Sequence, residues 1–175
     1  NIDDFFEALE NFGVGAQNWV GADVNGEIAY FPHAHIPIRS EAALTQEHPP
    51  YLPYPGTGAY EWLLDEQGRP LYLAPDQIPQ ARNPSRGWLA TANNDINGAT
   101  LDNDPLNEGR YLSYSQAVGF REGRISELLP NLDKEDGDPD HMKQIQGDHL
   151  SLLAERVRPY LLGALANEEV MGGLT

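Results

Sequence analysis

The sequence predicts an α+β fold in which antiparallel strands come first and helices last. Two apolar runs, near residues 17–24 and 27–32, flank Asn25-Gly26. This dipeptide is a strong hairpin signal because both of its residues accept positive φ. Apolar residues recur at helical spacing in 115–129 and again from 139 to about 166. A chain of 175 residues can form one domain, or one large piece of a bigger domain.

The first half of the chain begins with a predicted amphipathic helix over 2–12, which ends at Gly13. The hairpin follows. Most of the fourteen prolines then lie between Pro32 and Pro84, so long regular elements are not expected there. The next segment, "GWLATAN" (87–93), is predicted to be a strand that ends at the pair Asn93-Asn94.

The second half is predicted to be helical. Helix 115–129 stops at Pro130, and a charged linker, 131–138, follows it. Asp138-Pro139 has the pattern of an N-cap followed by proline at the first helical position, and the last helix should run to about 166 with a kink at Pro159. We therefore describe 1–175 as a single partial domain, with a strand- and loop-rich part (1–114) and a helical part (115–175).

Composition excludes several classes of protein. The chain has 27 Asp and Glu against 11 Lys and Arg, for a net charge of −16, and this field would repel nucleic acid. The sequence contains no run of about 18 apolar residues, the length that a membrane-spanning helix needs. Without cysteine there are no disulfides, thiolate metal sites or cysteine nucleophiles. Because only two of the cations are Lys, we also hypothesise a high-salt organism, which unfolding in low salt would support.

Several local patterns leave a functional and a structural reading open. His33-x-His35 could bind zinc, but no third ligand stands at a suitable spacing, and packing histidines are favoured. The acidic run "LDNDPLNE" (101–108) could bind calcium or form a solvated turn. Asn93 could donate its amide to an oxyanion or merely turn the chain, and Arg124 could support a site or lie on the surface.

Five segments of the sequence, taken in order, resemble the penicillin acylase (penicillin amidase) family of N-terminal-nucleophile hydrolases. They cover most of the chain: "QNWVGADVNGEIAYFPHAHIPIR" (17–39), "LPYPGTGAYEW" (52–62), "NPSRGWLATANN" (83–94), "GFREGRISELL" (119–129) and "IQGDHLSLLAERVRPYLLGAL" (145–165). Five ordered segments are much more specific than any single motif. The resemblance implies part of an αββα sandwich, in which two antiparallel sheets face one another beneath helices.

The resemblance also implies roles for individual residues. Asn93 would donate its side-chain amide to the tetrahedral oxyanion, and Arg124 would orient the asparagine and the substrate. Arg121 competes for the second role, but it lies one turn earlier and outside the matching position. A structural calcium ion would take the backbone carbonyl of Pro50 and the carboxylate of Asp104, or of Asp102 if the register shifts. Catalysis itself would need no cofactor. The nucleophile, a serine at the start of the β-subunit whose own α-amino group acts as base, would lie outside this chain.

By resemblance, the whole protein would be an amidohydrolase that cleaves N-acyl compounds such as β-lactams or acyl-homoserine lactones, with a role in antibiotic biosynthesis among the uses of such enzymes. The partners would be the α-subunit and the rest of the β-subunit, in the periplasm or outside the cell. This chain alone would be inactive. The alternative is a non-catalytic, acidic, calcium-stabilised binding or structural module. The sequence departs from the family's pattern in the tract 65–73, in the long interval from Asn93 to Arg124, and in its start at Asn1.

Overall fold

The computed structural model describes residues 1–102, 104–107, 110–131 and 138–167. These residues form two compact units: Asn1–Thr91 with Asp95–Gln116, and Ala92–Asn94 with Ala117–Thr175. The helices and strands, in chain order, are α1 (Ile2–Leu9), β1 (Gln17–Ala22), β2 (Ile28–His33), β3 (Ala81–Arg82), α2 (Phe120–Leu128), α3 (Pro139–Gly147) and α4 (Leu152–Leu165). The α+β class predicted from the sequence is confirmed.

Helix α1 packs against the hairpin of the first unit through aromatic side chains. Phe5 meets Trp19 edge to face at 5.9 Å between ring centroids, and Phe6 lies 5.2 Å from Phe31. Ile2, the first residue of the helix, is only 2% exposed. A Cβ atom at Gly21 would approach the Cδ1 atom of Ile2 to 3.1 Å, so glycine lets the helix approach the strand without displacing this side chain.

Strands β1 and β2 form the predicted antiparallel hairpin, with Trp19 opposite Phe31 and Val20 opposite Tyr30. Asp23 organises the turn, because its Oδ1 atom accepts hydrogen bonds from the backbone N–H groups of Asn25 (2.8 Å) and Glu27 (3.2 Å). Gly26 has φ +82°, as this turn requires.

Strand β3 completes a three-stranded sheet of order β1-β2-β3. Its Arg82 donates to Asp3 of α1 at 2.6 Å and to Glu27 at 2.7 Å. Asn83, at φ +45°, accepts from the backbone N–H of Ile28 at 2.9 Å. These polar contacts join three separate parts of the sequence along one edge of the sheet.

The proline-rich excursion is irregular, as predicted. Between residues 34 and 80, all of which are described, the chain forms two 3₁₀-helices, Glu41–Ala43 and Pro75–Gln77, and isolated bridges such as Pro37 with Tyr72. A second aspartate turn lies here, since Asp65 Oδ1 accepts from the backbone N–H groups of Gln67 at 2.9 Å and Arg69 at 2.8 Å. The tract 65–73 therefore begins with a well-bonded turn.

The strand predicted for 87–93 is not formed. Gly87 has φ +77°, and the guanidinium of Arg86 both stacks 4.0 Å over the Trp88 ring and donates to the Trp88 carbonyl at 3.0 Å. Ala92 likewise gives its N–H to the side chain of Asn94 at 3.0 Å. The Trp88 carbonyl and the Ala92 N–H form hydrogen bonds with side chains and not with a neighbouring strand. The apolar pattern therefore does not produce a ladder of strand hydrogen bonds here.

The described residues of the second unit form three α-helices and a short 3₁₀-helix, Leu129–Asn131, where the sequence predicted two helices. Helix α2 begins five residues later than predicted, at Phe120, after Gly119 at φ +80°. The long C-terminal helix is split into α3 and α4 by residues 148–151. Asp138 caps α3 as predicted, while Ser151 caps α4 by accepting from the Ala154 N–H at 3.1 Å. Pro159 lies inside α4, and most of the predicted linker, 132–137, lies outside the described residues.

No helix in the described part of the chain combines the length and the apolar character needed to cross a membrane.

Candidate active site

Asn93 stands at an unusual backbone position. Its φ is +59°, the left-handed region, which asparagine tolerates better than most residues. Its carbonyl accepts a hydrogen bond from the Ala117 N–H at 2.7 Å, and Asn94 pairs with Ala117 in a parallel bridge. The segment 92–94 is thereby fastened to the residues that lead into α2, and the Asn93 side chain remains exposed.

Arg121, in the first turn of α2, fixes the orientation of the Asn93 amide. Its Nη2 atom donates to the Asn93 Oδ1 atom at 2.8 Å and to the Ala92 carbonyl at 2.7 Å. A guanidinium can only donate, so the atom of Asn93 that faces it must be oxygen. The amide NH₂ group therefore points away from Arg121, and within the described residues it has no acceptor. This is the arrangement that a donor to an oxyanion requires.

Asn94 has a different role from its neighbour. Its Oδ1 atom accepts from the Ala92 N–H at 3.0 Å, closing a local turn. Asn94 thus forms a structural turn, whereas Asn93, within the described part of the chain, leaves its amide NH₂ group free to donate.

Arg124 does not contact Asn93 but forms ion pairs. Its Nε and Nη2 atoms bind the two oxygens of Asp148 at 3.0 and 2.8 Å, and its Nη1 atom binds Glu127 at 3.0 Å. Hydrogen bonding from Arg124 lowers the pKa of Asp148 below its usual range, with burial opposing this shift. Since Asp148 separates α3 from α4, Arg124 ties α2 to the junction of the other two helices.

The contact that the resemblance assigned to Arg124 is therefore made by Arg121. The two arginines lie about one helical turn apart, and Arg124 pairs with Glu127, its i+3 neighbour on the helix, and with Asp148, which lies 24 positions further along the chain. One feature favours Arg121 as the residue that contacts Asn93. It lies in the first turn of α2, four positions after Ala117, the residue that bridges to Asn94. Spacing along the sequence alone could not choose between these two guanidiniums.

The predicted calcium ligands offer oxygen donors of the right chemistry. Asp104 is half-buried, and its Oδ1 atom accepts from the Leu106 N–H at 3.0 Å. The alternative, Asp102, binds the Asn107 side chain at 2.6 Å, which is the main cause of its lowered pKa. No group of three or more His, Cys, Asp or Glu side chains suited to a metal occurs in the described ranges. Because Ca²⁺ takes about 6–8 oxygens, Pro50 and Asp104 would supply a minority of its ligands.

The two histidines considered for zinc are engaged with aromatic rings. The His33 ring lies 5.7 Å from that of His35 and 6.1 Å from that of Phe12, while His35 stacks on Tyr72 at 4.8 Å. These contacts fit the packing role that the sequence favoured.

Comparison with known proteins gives the family. A family model described as penicillin amidase matches residues 1–173, which is nearly the whole chain. The chain belongs to the penicillin amidase family. The ordered segments recognised in the sequence are thereby confirmed as a family resemblance.

One relative in the penicillin amidase family is the penicillin G acylase of Escherichia coli. It is 38% identical over 78 residues, and this alignment covers 44% of the present chain and 8% of that protein. The matched segment is thus a small part of that relative's length. The comparison supports membership of the penicillin amidase family, while the roles of the individual site residues rest on the geometry above.

Proposed function

We propose that the protein containing this chain is an amidohydrolase of the acylase type, and that Asn93 donates a hydrogen bond to the oxyanion of the reaction. The observation that carries this proposal is the amide of Asn93, whose oxygen is held by Arg121 at 2.8 Å and whose NH₂ group is left to donate. Membership of the penicillin amidase family supports amide hydrolysis as the reaction class.

The proposed reaction proceeds through an acyl-enzyme. A nucleophile supplied by another part of the polypeptide adds to the carbonyl carbon of a linear N-acyl amide, and the carbonyl oxygen becomes negatively charged. The Asn93 NH₂ group donates to that oxygen, so that the tetrahedral intermediate is stabilised more than the neutral substrate. Collapse expels the amine, and water then hydrolyses the ester in the same manner. β-Lactam side chains and acyl-homoserine lactones remain the proposed substrates.

The partners and location are proposed on the same family basis. The remaining segments of the precursor would supply the nucleophile and the substrate pocket, and export to the periplasm or the medium would fit the family.

A structural calcium ion is proposed at Pro50 and Asp104, whose oxygens fit the metal's chemistry. Its removal by a chelator should lower the thermal midpoint of the full-length protein without abolishing turnover at low temperature.

The decisive experiment removes the Asn93 side chain from the full-length protein. Asn93→Gly suits the backbone at φ +59° and deletes the amide, so we expect kcat on a chromogenic acyl-anilide to fall by about 10²–10³. Asn93→Asp keeps the shape but cannot donate, and should be at least as damaging. The matched control is Asn83→Gly, at the other asparagine among the described residues that has a positive φ, 45°.

The outcomes separate the two readings of the chain. Full turnover by Asn93→Gly, or an equal loss in Asn83→Gly at a temperature where both variants are folded, would remove Asn93 from the site. The isolated 175 residues should show no turnover. A full-length protein with no Ser, Thr or Cys at a processed chain start would favour the non-catalytic calcium-stabilised module instead.

A further inference from the structure

A cavity of about 350 Å³ lies in the first unit, beside the end of β2. Its wall combines polar residues that can carry positive charge, His33, His35 and Arg39, with apolar ones such as Phe12, Ile36 and Leu112. No Asp or Glu side chain is among its lining residues within the described part of the chain. The volume falls in the range of about 300–1,000 Å³ that is common for small-molecule sites.

A smaller cavity of about 60 Å³ adjoins the first. The two share Pro37, Arg39 and Tyr111, and the smaller one adds Arg110. Two arginine residues therefore line a space that would hold about two water molecules, at about 30 Å³ each. Like charges placed around one small space repel each other unless an anion lies between them.

No acidic side chain in the described part of the chain pairs with either of these arginines. In the ranges that the structure describes, neither Arg39 nor Arg110 has a carboxylate oxygen within 4.0 Å, although the chain carries 27 Asp and Glu. Other arginines, such as Arg82 and Arg124, are paired with two carboxylates each. In the described ranges Arg86, Arg121, Arg156 and Arg158 also lack such a partner, and what distinguishes Arg39 and Arg110 is that both line the same small cavity.

Aromatic contacts hold Arg39 at the boundary between the two cavities. Its guanidinium lies 5.6 Å from the centre of the Tyr111 ring. Burial raises the pKa of Tyr111, and the positive charge of Arg39 opposes that rise. The side chain is half-buried, so less water screens its charge than on an open surface.

We propose that the two cavities together form a binding site for a small organic anion with a carboxylate head and an apolar body. The carboxylate lies in the smaller cavity between Arg39 and Arg110, and the body extends into the larger one against Phe12, Ile36 and Leu112. Guanidinium groups suit this head because their donors match the two oxygens of a carboxylate. The proposal does not depend on the proposed hydrolysis.

The test measures binding to the full-length protein by titration calorimetry at neutral pH and fixed ionic strength. The probes are hexanoate, its neutral analogue hexanamide, and inorganic phosphate. Saturable binding of hexanoate, with hexanamide and phosphate both weaker by about tenfold or more, is expected because the head needs charge and the body needs the apolar wall. Equal binding of hexanoate and hexanamide, or no saturable binding of hexanoate, would overturn the proposal. Phosphate binding as tight as hexanoate would do the same, since it would leave no role for the apolar body.

Three variants locate the site. Arg39→Gln and Arg110→Gln should each weaken hexanoate binding by about tenfold or more, while Arg39→Lys should recover part of the loss. The matched control is Arg86→Gln, because Arg86 also stacks on an aromatic ring, Trp88, but lines neither cavity. Thermal melts verify that all four proteins are folded. If Arg86→Gln weakens binding as much as Arg39→Gln, the effect is one of overall charge and the proposed site is wrong.

Discussion

At the scale of single residues, the adjacent asparagines show how far sequence reasoning reaches. Composition suggested that Asn93 and Asn94 turn the chain, and Asn94 does so through its hydrogen bond to the Ala92 N–H. The resemblance singled out Asn93 as the amide donor, and the structure orients its NH₂ group away from Arg121. The residue that holds the amide was not predictable, because choosing Arg121 over Arg124 depends on where Asp148 lies, 24 positions further along the chain.

This geometry predicts that replacing Arg121 affects turnover, whereas replacing Arg124 affects stability. If the proposed hydrolysis is correct, Arg121→Gln in the full-length protein should lower kcat by roughly 10- to 100-fold, because a charged hydrogen bond of about 1.5–3 kcal/mol no longer fixes the amide. KM should change little, and Arg121→Lys should restore part of the activity. Arg124→Gln should instead lower the thermal midpoint and spare kcat at low temperature.

Steady-state kinetics and thermal melts of the same three preparations measure both effects. A loss of turnover in Arg124→Gln as large as that in Arg121→Gln would return the orienting role to Arg124.

At the scale of elements, predictions succeeded where a few adjacent residues determine the structure. The hairpin follows from Asp23, Asn25 and Gly26 alone, since the turn is bonded within itself. The strand at 87–93 failed because the apolar pattern does not reveal that Arg86 and Asn94 take the backbone groups. The break between α3 and α4 was missed for a related reason: Asp148, which also accepts from the Leu150 N–H at 3.2 Å, interrupts an otherwise helical run.

The aspartate turns predict how the first unit responds to acid. Hydrogen bonding from the Arg69 backbone is the main cause of the lowered pKa of Asp65, so its charged form is favoured in the folded chain. A carboxyl group with a depressed folded pKa contributes stability above its unfolded pKa and loses it as the pH falls through the folded value. The contribution of Asp65 should thus be complete at pH 7 and should fade below about pH 4.

Asp65→Ala tests this expectation. At pH 7 the variant should melt at a lower temperature than the parent, and at pH 3 the difference between the two should shrink. Thermal melts at both pH values, followed by circular dichroism, provide the measurement. A difference that is constant with pH would mean that the carboxylate charge does not stabilise the turn.

At the scale of the whole molecule, exposed apolar side chains on α4 predict that another segment covers this helix. On α4, Leu161, Leu162 and Leu165 are 59%, 57% and 62% exposed. Contiguous apolar side chains on one helix are an association hazard unless something covers them. Because the E. coli relative is matched over only 8% of its length, we propose that other segments of the same polypeptide cover this helix. Sequence periodicity identified α4 as helical but could not say which of its faces lack a partner within the described residues.

A cysteine probe tests this proposed cover, since the chain itself has no cysteine. Leu161→Cys should react with a maleimide more slowly in the full-length protein than in the isolated 175 residues, once both rates are normalised to those of the unfolded chains. Any native cysteines elsewhere in the polypeptide would first be replaced. Equal normalised rates would show that the rest of the protein leaves α4 exposed.

The close approach of α1 to β1 has an evolutionary consequence. A methyl group at position 21 would press on the end of the Ile2 side chain at 3.1 Å, and Ile2 is almost fully enclosed. A larger residue at position 21 therefore requires the Ile2 side chain to shift or to be shorter. Relatives with alanine in place of Gly21 should carry a shorter side chain in place of Ile2, and an alignment of many family members would reveal the pair as covarying.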